Sequence, residues 1–194
     1  MTETIRTYYS VAGHTFAVRA ADRLLLSLEN MRPFAVSSVE DPLFDIGIIQ
    51  CDIPSSMAIP PQWVDMPADD MPRIEVYSLP DAWLFRIAIT ANAPVCCELQ
   101  CSRDFRSAQL SIAPDEPDRR FCIDNALMLL YAFRTASLRT LEMHAAVVVK
   151  DGQGFLFLGR EFAFSTGYAT LLMSLELMVL EKVAPLSGPL SDQP

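Results

Sequence analysis

The chain of 194 residues has a formal net charge of -9, with 51% hydrophobic residues, 20% charged residues and 7 glycines. That length holds one substantial core, and the balance excludes a disordered or a fibrous chain. No basic cluster is longer than the pair Arg119 and Arg120, too few cations to hold a phosphate backbone or an anionic membrane surface, so neither nucleic acid nor membrane is expected as a partner.

The opening MTETIRTYYSV has no cationic segment leading into an apolar one, and the apolar window 171–183 is interrupted by Ser174, Glu176, Glu181 and Lys182. Neither reads as a signal peptide or a membrane span, which predicts a cytoplasmic protein. The 5 cysteines are Cys51, Cys96, Cys97, Cys101 and Cys122, an odd number that suits reduced thiols. Cys97 and Cys101 would share one strand face roughly 13 Å apart. Zinc thiolates must converge to about 2.3 Å from one ion, so the cysteines are read as buried structural residues and no metal or other cofactor is expected.

In chain order, TIRTYYSVAGHTFAVRA alternates on both sides of Ala12 and Gly13, which predicts a hairpin, with His14 as a turn residue. ADRLLLSLENM predicts a short helix stopped by Pro33, and PLFDIGIIQCDI another extended run. Residues 54–72 hold five prolines and predict a surface loop, with Trp63 pinning it to the core. RIEVYSL, AWLFRIAIT, VCCELQC and SAQLSIA then predict strands of an antiparallel sheet with one covered side. In the second of these runs Trp83, Phe85, Ile87 and Ile89 share the covered face and Arg86 points away from it. The polar connection APDEPDRR leads into residues 122–140, which lack Gly and Pro and place Ile123, Ala126, Leu127, Leu130 and Tyr131 at helical spacing, a central buried helix. LEMHAAVVV and GFLFLG predict two more strands about a Gly-containing turn. The expected fold is therefore α+β in a single domain, 1–194, with a mainly β part over 1–121 and the helix, a β-hairpin and a loop-helix segment over 122–194.

The order NALMLLYAF, LEMHAAVVVKDGQGFLFLG, loop and helix resembles the HPr serine kinase and phosphoenolpyruvate carboxykinase-like P-loop family, in particular its bacterial members. The resemblance implies that FLGREFAFSTGYATLL, residues 157–172, is a strand-loop-helix remnant of a P-loop kinase core. In the family pattern G-x-x-x-x-G-K-[ST], glycines form the anion nest, Lys reaches the phosphates and the hydroxyl holds magnesium. Laid on this chain, the first Gly is Gly159 and the hydroxyl is Thr166, while the second Gly position carries Phe164 and the Lys position Ser165. Phe adds a ring where the backbone must approach phosphate, and Ser removes the balancing charge. Main-chain donors at the helix start offer only about 0.3–1 kcal/mol each.

The resemblance also implies a magnesium carboxylate and a base beyond the loop. Beyond Thr166 the one Asp is Asp192, and Glu176 and Glu181 read as a solvated helix face. His144, at the family's His-Ala position, is read as a hydrogen-bonding strand residue, with ligand orientation as the alternative. If a phosphate binds, Gly159, Arg160, Ser165 and Thr166 would hold it. The run TGYATLLMSLELMVLEKV spreads Leu171, Leu172, Leu175, Met178 and Val179 with Met173, Leu177 and Leu180 around a helix. Such a surface predicts a homo-oligomer or a protein partner. The expected function is a non-catalytic, kinase-like remnant acting as a binding or regulatory protein; the alternative is a small nucleotide- or phosphate-binding kinase relative that uses Mg-ATP.

Overall fold

A computed structural model describes residues 4–21, 24, 26–65, 68–140, 146–150 and 153–157. The chain divides into two compact units, Met1–Leu141 and Glu142–Pro194. The first is α+β. Its strands are β1 (Thr4–Val11), β2 (His14–Ala21), β3 (Ala35–Val36), β4 (Asp45–Gln50), β5 (Trp63–Asp65), β6 (Arg73–Ser78), β7 (Ala82–Ala88), β8 (Val95–Ser102) and β9 (Ser107–Ile112). They form one sheet of 9 strands in the order β3-β1-β2-β4-β9-β8-β7-β6-β5.

The hairpin forms as expected. Ala12 and Gly13 take φ of 47° and 78° and bring Val11 opposite His14, the pair of left-handed residues that matches a turn to strand twist. The helix foreseen before Pro33 is a 3-10 segment, Leu26–Phe34, kinked at Leu28 and containing Pro33. It buries Leu28 and Met31. The sheet is mixed where an antiparallel one was expected, because β4 runs parallel to both β2 and β9. Parallel neighbours need long crossovers. The 3-10 segment and β3 supply the first, and the whole β5–β8 meander lies within the second.

The helix, α1 (Arg119–Thr135), starts three residues before the sequence pattern suggested. Asp118 caps it, its Oδ1 accepting from Phe121 N at 3.1 Å, an interaction worth about 1 kcal/mol. The cap lies inside a stretch that sequence alone shows only as polar. Cys122, Ile123, Ala126, Leu127, Leu130 and Tyr131 are its buried stripe, and Tyr131 Oη donates to Val11 O at 3.0 Å. On the sheet, Phe16, Ile46, Leu99, Leu110 and Ile112 are at most 2% exposed.

The opposite face is open on much of β8 and β9, where Gln100 and Gln109 are exposed as a one-sided sheet requires, and is covered around Arg86 of β7. Glu75 pairs with Arg86 and Arg86 with Glu98 across β6, β7 and β8. Arg86 is 2% exposed. Its Nε donates to Glu98 Oε1 at 2.8 Å, a second guanidinium nitrogen to Glu75 Oε2 at 3.4 Å, and the third to the carbonyl of Pro54. Tyr77 Oη adds a bond to Glu75 Oε2 at 2.9 Å, and Arg73 Nε lies 3.2 Å from Glu75 Oε1. A guanidinium can be buried at this depth because every arm meets an acceptor. The alternation pattern fixed its direction correctly and could not show the Pro54 segment lying over it.

The second unit holds an antiparallel hairpin of β10 (Ala146–Lys150) and β11 (Gln153–Phe157), with Ala146 opposite Phe157 and Lys150 opposite Gln153.

Replacing Arg86 with Met leaves two carboxylates half-buried without their counter-charge, so the variant should lose about 3–5 kcal/mol of stability. Arg120→Met, which removes an exposed bridge to Asp124 four residues on, should lose no more than about 0.5 kcal/mol. Urea unfolding of both variants beside the parent checks the contrast.

Candidate functional site

The sequence placed its candidate residues at Gly159, Arg160, Ser165 and Thr166, with His144 beside them; these, and Phe164, lie outside the described residues. The described unit carries two other constellations, one apolar and one of thiols. Both stand on the face of the sheet that α1 covers.

The first is a cleft of about 390 Å³ at the β5 end of the sheet. Register builds its floor. Trp63 pairs with Val76, Val76 with Phe85, Asp65 with Ile74 and Ser78 with Trp83, which sets Trp63, Val76 and Phe85 in one row across three strands. Leu129 and Phe133 of α1 and Phe105 from the β8–β9 turn form the facing wall, and Gln62 and Asp65 are the polar members of the lining. The rings of Phe105 and Phe133 are stacked at 4.6 Å and 6°, and Phe85 lies 5.8 Å from Phe133. Phe105 is held in the left-handed region at φ 56°, with its N–H bonded to Ser102 O at 2.9 Å. For an aromatic residue this conformation is costly; it turns the ring into the stack.

Trp83 is fixed from outside. The Arg103 guanidinium lies 4.5 Å from its ring centre and donates to Ser78 Oγ at 3.0 Å and to the Leu79 carbonyl. Trp63 is the reverse. It is 66% exposed, which corrects the expectation that it pins the proline-rich segment to the core. That segment is tied down by its backbone, Gln62 N donating to Val76 O at 2.7 Å, which leaves the Trp63 ring standing at the mouth. Phe133 is also half-exposed at 49%. Large aromatic surface left open at a concave site is unusual for a side chain placed only for packing.

The second constellation is Cys96, Cys97 and Cys122, whose sulfurs all lie within 4.8 Å of one another. Neighbouring strand residues ordinarily point to opposite faces. Here Ile87 pairs with Cys97 and Ala88 with Val95, so Cys96 is an inserted residue without a partner across the ladder. The bulge re-aims its side chain. Cys122 in the first turn of α1 meets the pair from above, its thiol donating to Cys96 Sγ at 3.6 Å, while Cys96 Sγ reaches Ile87 O at 3.2 Å. Hydrogen bonding from the Cys122 thiol and then from Cys97 draws the Cys96 thiol below its ordinary range, against the effect of burial. The same bonds push Cys97 and Cys122 up, Cys97 chiefly through Cys122 and Cys122 chiefly through Cys96, with burial adding to both. Cys101 is pushed up to about 12 by burial alone. Four of the five cysteines are buried as expected and Cys51 is intermediate; the bulge and the helix, not the spacing of Cys97 and Cys101, bring sulfur together.

Elsewhere, His14 Nε2 lies 2.7 Å from Thr140 Oγ1 and its ring is edge-on to Tyr131 at 6.1 Å, a packing role. Among the described residues no helix is long and apolar enough to cross a membrane. Compared with protein families, with characterised proteins and with solved structures, the chain gives no match.

Both tryptophans of the chain line the cleft, and their environments differ. The Trp83→Phe variant, which keeps Trp63, should emit at long wavelength and be readily quenched by acrylamide. Trp63→Phe, which keeps Trp83 beneath Arg103, should emit further to the blue with at most about half the quenching constant. Fluorescence of the two variants measures this.

Proposed function

We propose that the protein is a non-catalytic binding protein that takes one small, largely apolar molecule into the aromatic cleft. The open recess lined by Trp63, Trp83, Phe85, Phe105 and Phe133, the last two stacked, carries this reading. A volume of about 390 Å³ falls in the range typical of small-molecule sites, about 300–1,000 Å³, and apolar walls with one or two polar groups are their usual composition. Rings held in place before binding reduce the ordering cost. Asp65 and Gln62 at the lining favour a ligand with a donor group, uncharged or cationic. Asp65 is the one acidic side chain in the lining, which contains no His, Cys or Ser; that composition supports binding and gives no acid-base pair or nucleophile.

The P-loop letters support the same conclusion. Phe164 and Ser165 stand where the family needs the backbone of a Gly and the charge of a Lys, so the kinase-like ancestry belongs to this proposal as a lineage without its chemistry. Self-association through the apolar run after Thr166 belongs to it too.

A neutral aromatic amine such as 1-aminoanthracene is the probe. It should bind the full chain once, with energy transfer from tryptophan, and Trp63→Ala and Phe133→Glu should each weaken it at least tenfold while leaving the circular dichroism unchanged. Equal binding by parent and variants would refute the cleft. Mg-ATP should leave the melting temperature unchanged; a ligand at a hundred times its dissociation constant stabilises by about 2.7 kcal/mol, and a shift of that size would favour the nucleotide-binding alternative.

A further inference from the structure

We infer that Cys96, Cys97 and Cys122 form a site for one thiophilic d10 metal ion, Zn(II) or Cu(I), held by three thiolates. The inference is independent of the cleft and runs against the sequence-based expectation of no metal.

The distances suit it. Three sulfurs bound at about 2.3 Å to one ion lie roughly 3.8–4.0 Å apart. The trio is already within 4.8 Å throughout, with Cys96 and Cys122 at 3.6 Å. Closing onto an ion therefore needs side-chain shifts of about 1 Å or less. Sulfur-only ligation selects soft ions over magnesium or calcium, which demand oxygen.

Simple burial of three apolar thiols is the competing explanation, and two observations weigh against it. An ordinary strand would send Cys96 and Cys97 to opposite faces, and only the inserted residue at the Ile87–Ala88 step places both sulfurs together. A bulge gives up ladder pairing locally, and bulges recur beside functional sites. The second observation is charge. Cys122 sits in the first turn of α1, where the helix end is positive. Arg119, one turn earlier on the same side, has a buried Nε with no hydrogen-bond partner. Three thiolates leave one net negative charge around a divalent ion and two around a monovalent one; the helix end opposes that residue of charge, and Arg119 is the cation next along the helix, while Glu116 acts against it.

Binding is a proton exchange. Each thiol that still carries its proton releases it to solvent as its metal–sulfur bond forms, and three metal–sulfur bonds form with no change of oxidation state. Cys96 is 4% exposed, while Cys97 and Cys122 are at 0%, so the ion enters past Cys96 at the start of β8.

The test uses the full-length reduced protein, freed of metal and handled without oxygen. Cd(II) titration should give an ultraviolet thiolate-to-metal charge-transfer band saturating at one equivalent. Zn(II) and Cu(I), each competed against a chromophoric chelator, then show which ion is held more tightly. Cys96→Ser, Cys97→Ser and Cys122→Ser should each weaken binding at least tenfold, and the Cys51→Ser, Cys101→Ser double variant should bind as the parent does. Should a serine variant fail to fold, the parent alone still decides: metal must raise its melting temperature and produce the band. Absence of the band, binding that survives all three substitutions, or a Cys96–Cys122 disulfide forming with no metal uptake would overturn the site.

Discussion

The apolar stripe of α1 against β8 and β9 is the interaction on which the rest of this unit depends. Ile123, Leu127 and Leu130 are at most 6% exposed, and burying side chains of that size contributes about 1.5–3 kcal/mol each. No other described element of the first unit is an α-helix of comparable length. Its two ends then do different things. The amino end, fixed by Asp118, lowers Cys122 onto the bulge of β8. The carboxyl end carries Leu129 and Phe133 out over the last strands, where they become a wall. One packed stripe thereby sets the positions of a thiol cluster and an aromatic recess.

Strand β4 explains how so short a chain supports so wide a sheet. Ile46 and Ile48 are buried, and β4 joins the β3-β1-β2 group to the β9-β8-β7-β6-β5 meander by parallel pairing on both sides. Parallel strands in the interior are normally covered on both faces. On the second face, Asp45 at the start of β4 answers this in part, accepting from Arg6 at 2.5 Å and Arg19 at 2.6 Å. These pairs are partly exposed and weigh little in stability; they use the charges of an otherwise polar face without leaving any of the three alone.

Much of the strand and helix content is legible in the sequence because it depends on local period. The alternation of AWLFRIA and the 3.6-residue spacing of Ile123, Ala126, Leu127 and Leu130 are written in single segments. The hairpin at Ala12 and Gly13 is legible for the same reason. What is not legible depends on pieces far apart. The parallel pairing of β4 with β9 joins residues such as Ile46 and Ala108; the cover over Arg86 comes from Pro54; the thiol trio joins an inserted strand residue to a helix. An inserted residue is invisible to a period-2 reading, which brings Cys97 and Cys101 onto one face and has no place for Cys96 beside them. Trp63 differs from its sequence-based reading for a related reason: a lone aromatic in a proline-rich run fits an anchor equally well, but the run is already anchored by Gln62 N on Val76 O, by the pairing of β5 with β6 and by Arg86 on the Pro54 carbonyl.

The buried Arg86 ladder and the cleft are two sides of one register. Along β7, Phe85 faces the cleft and Arg86 the carboxylates of Glu75 and Glu98. Sliding β7 by one residue would exchange them, setting a guanidinium among Phe105 and Phe133 and a phenyl ring among carboxylates. Either half of that exchange strands a charge in apolar surroundings, at a cost well above that of lost packing. A buried ion network adds little net stability when intact, because desolvation offsets the attraction; its effect here is to exclude the neighbouring register. Since the bulge at Cys96 is counted from the same β7 pairing, that exclusion also fixes which sulfurs meet.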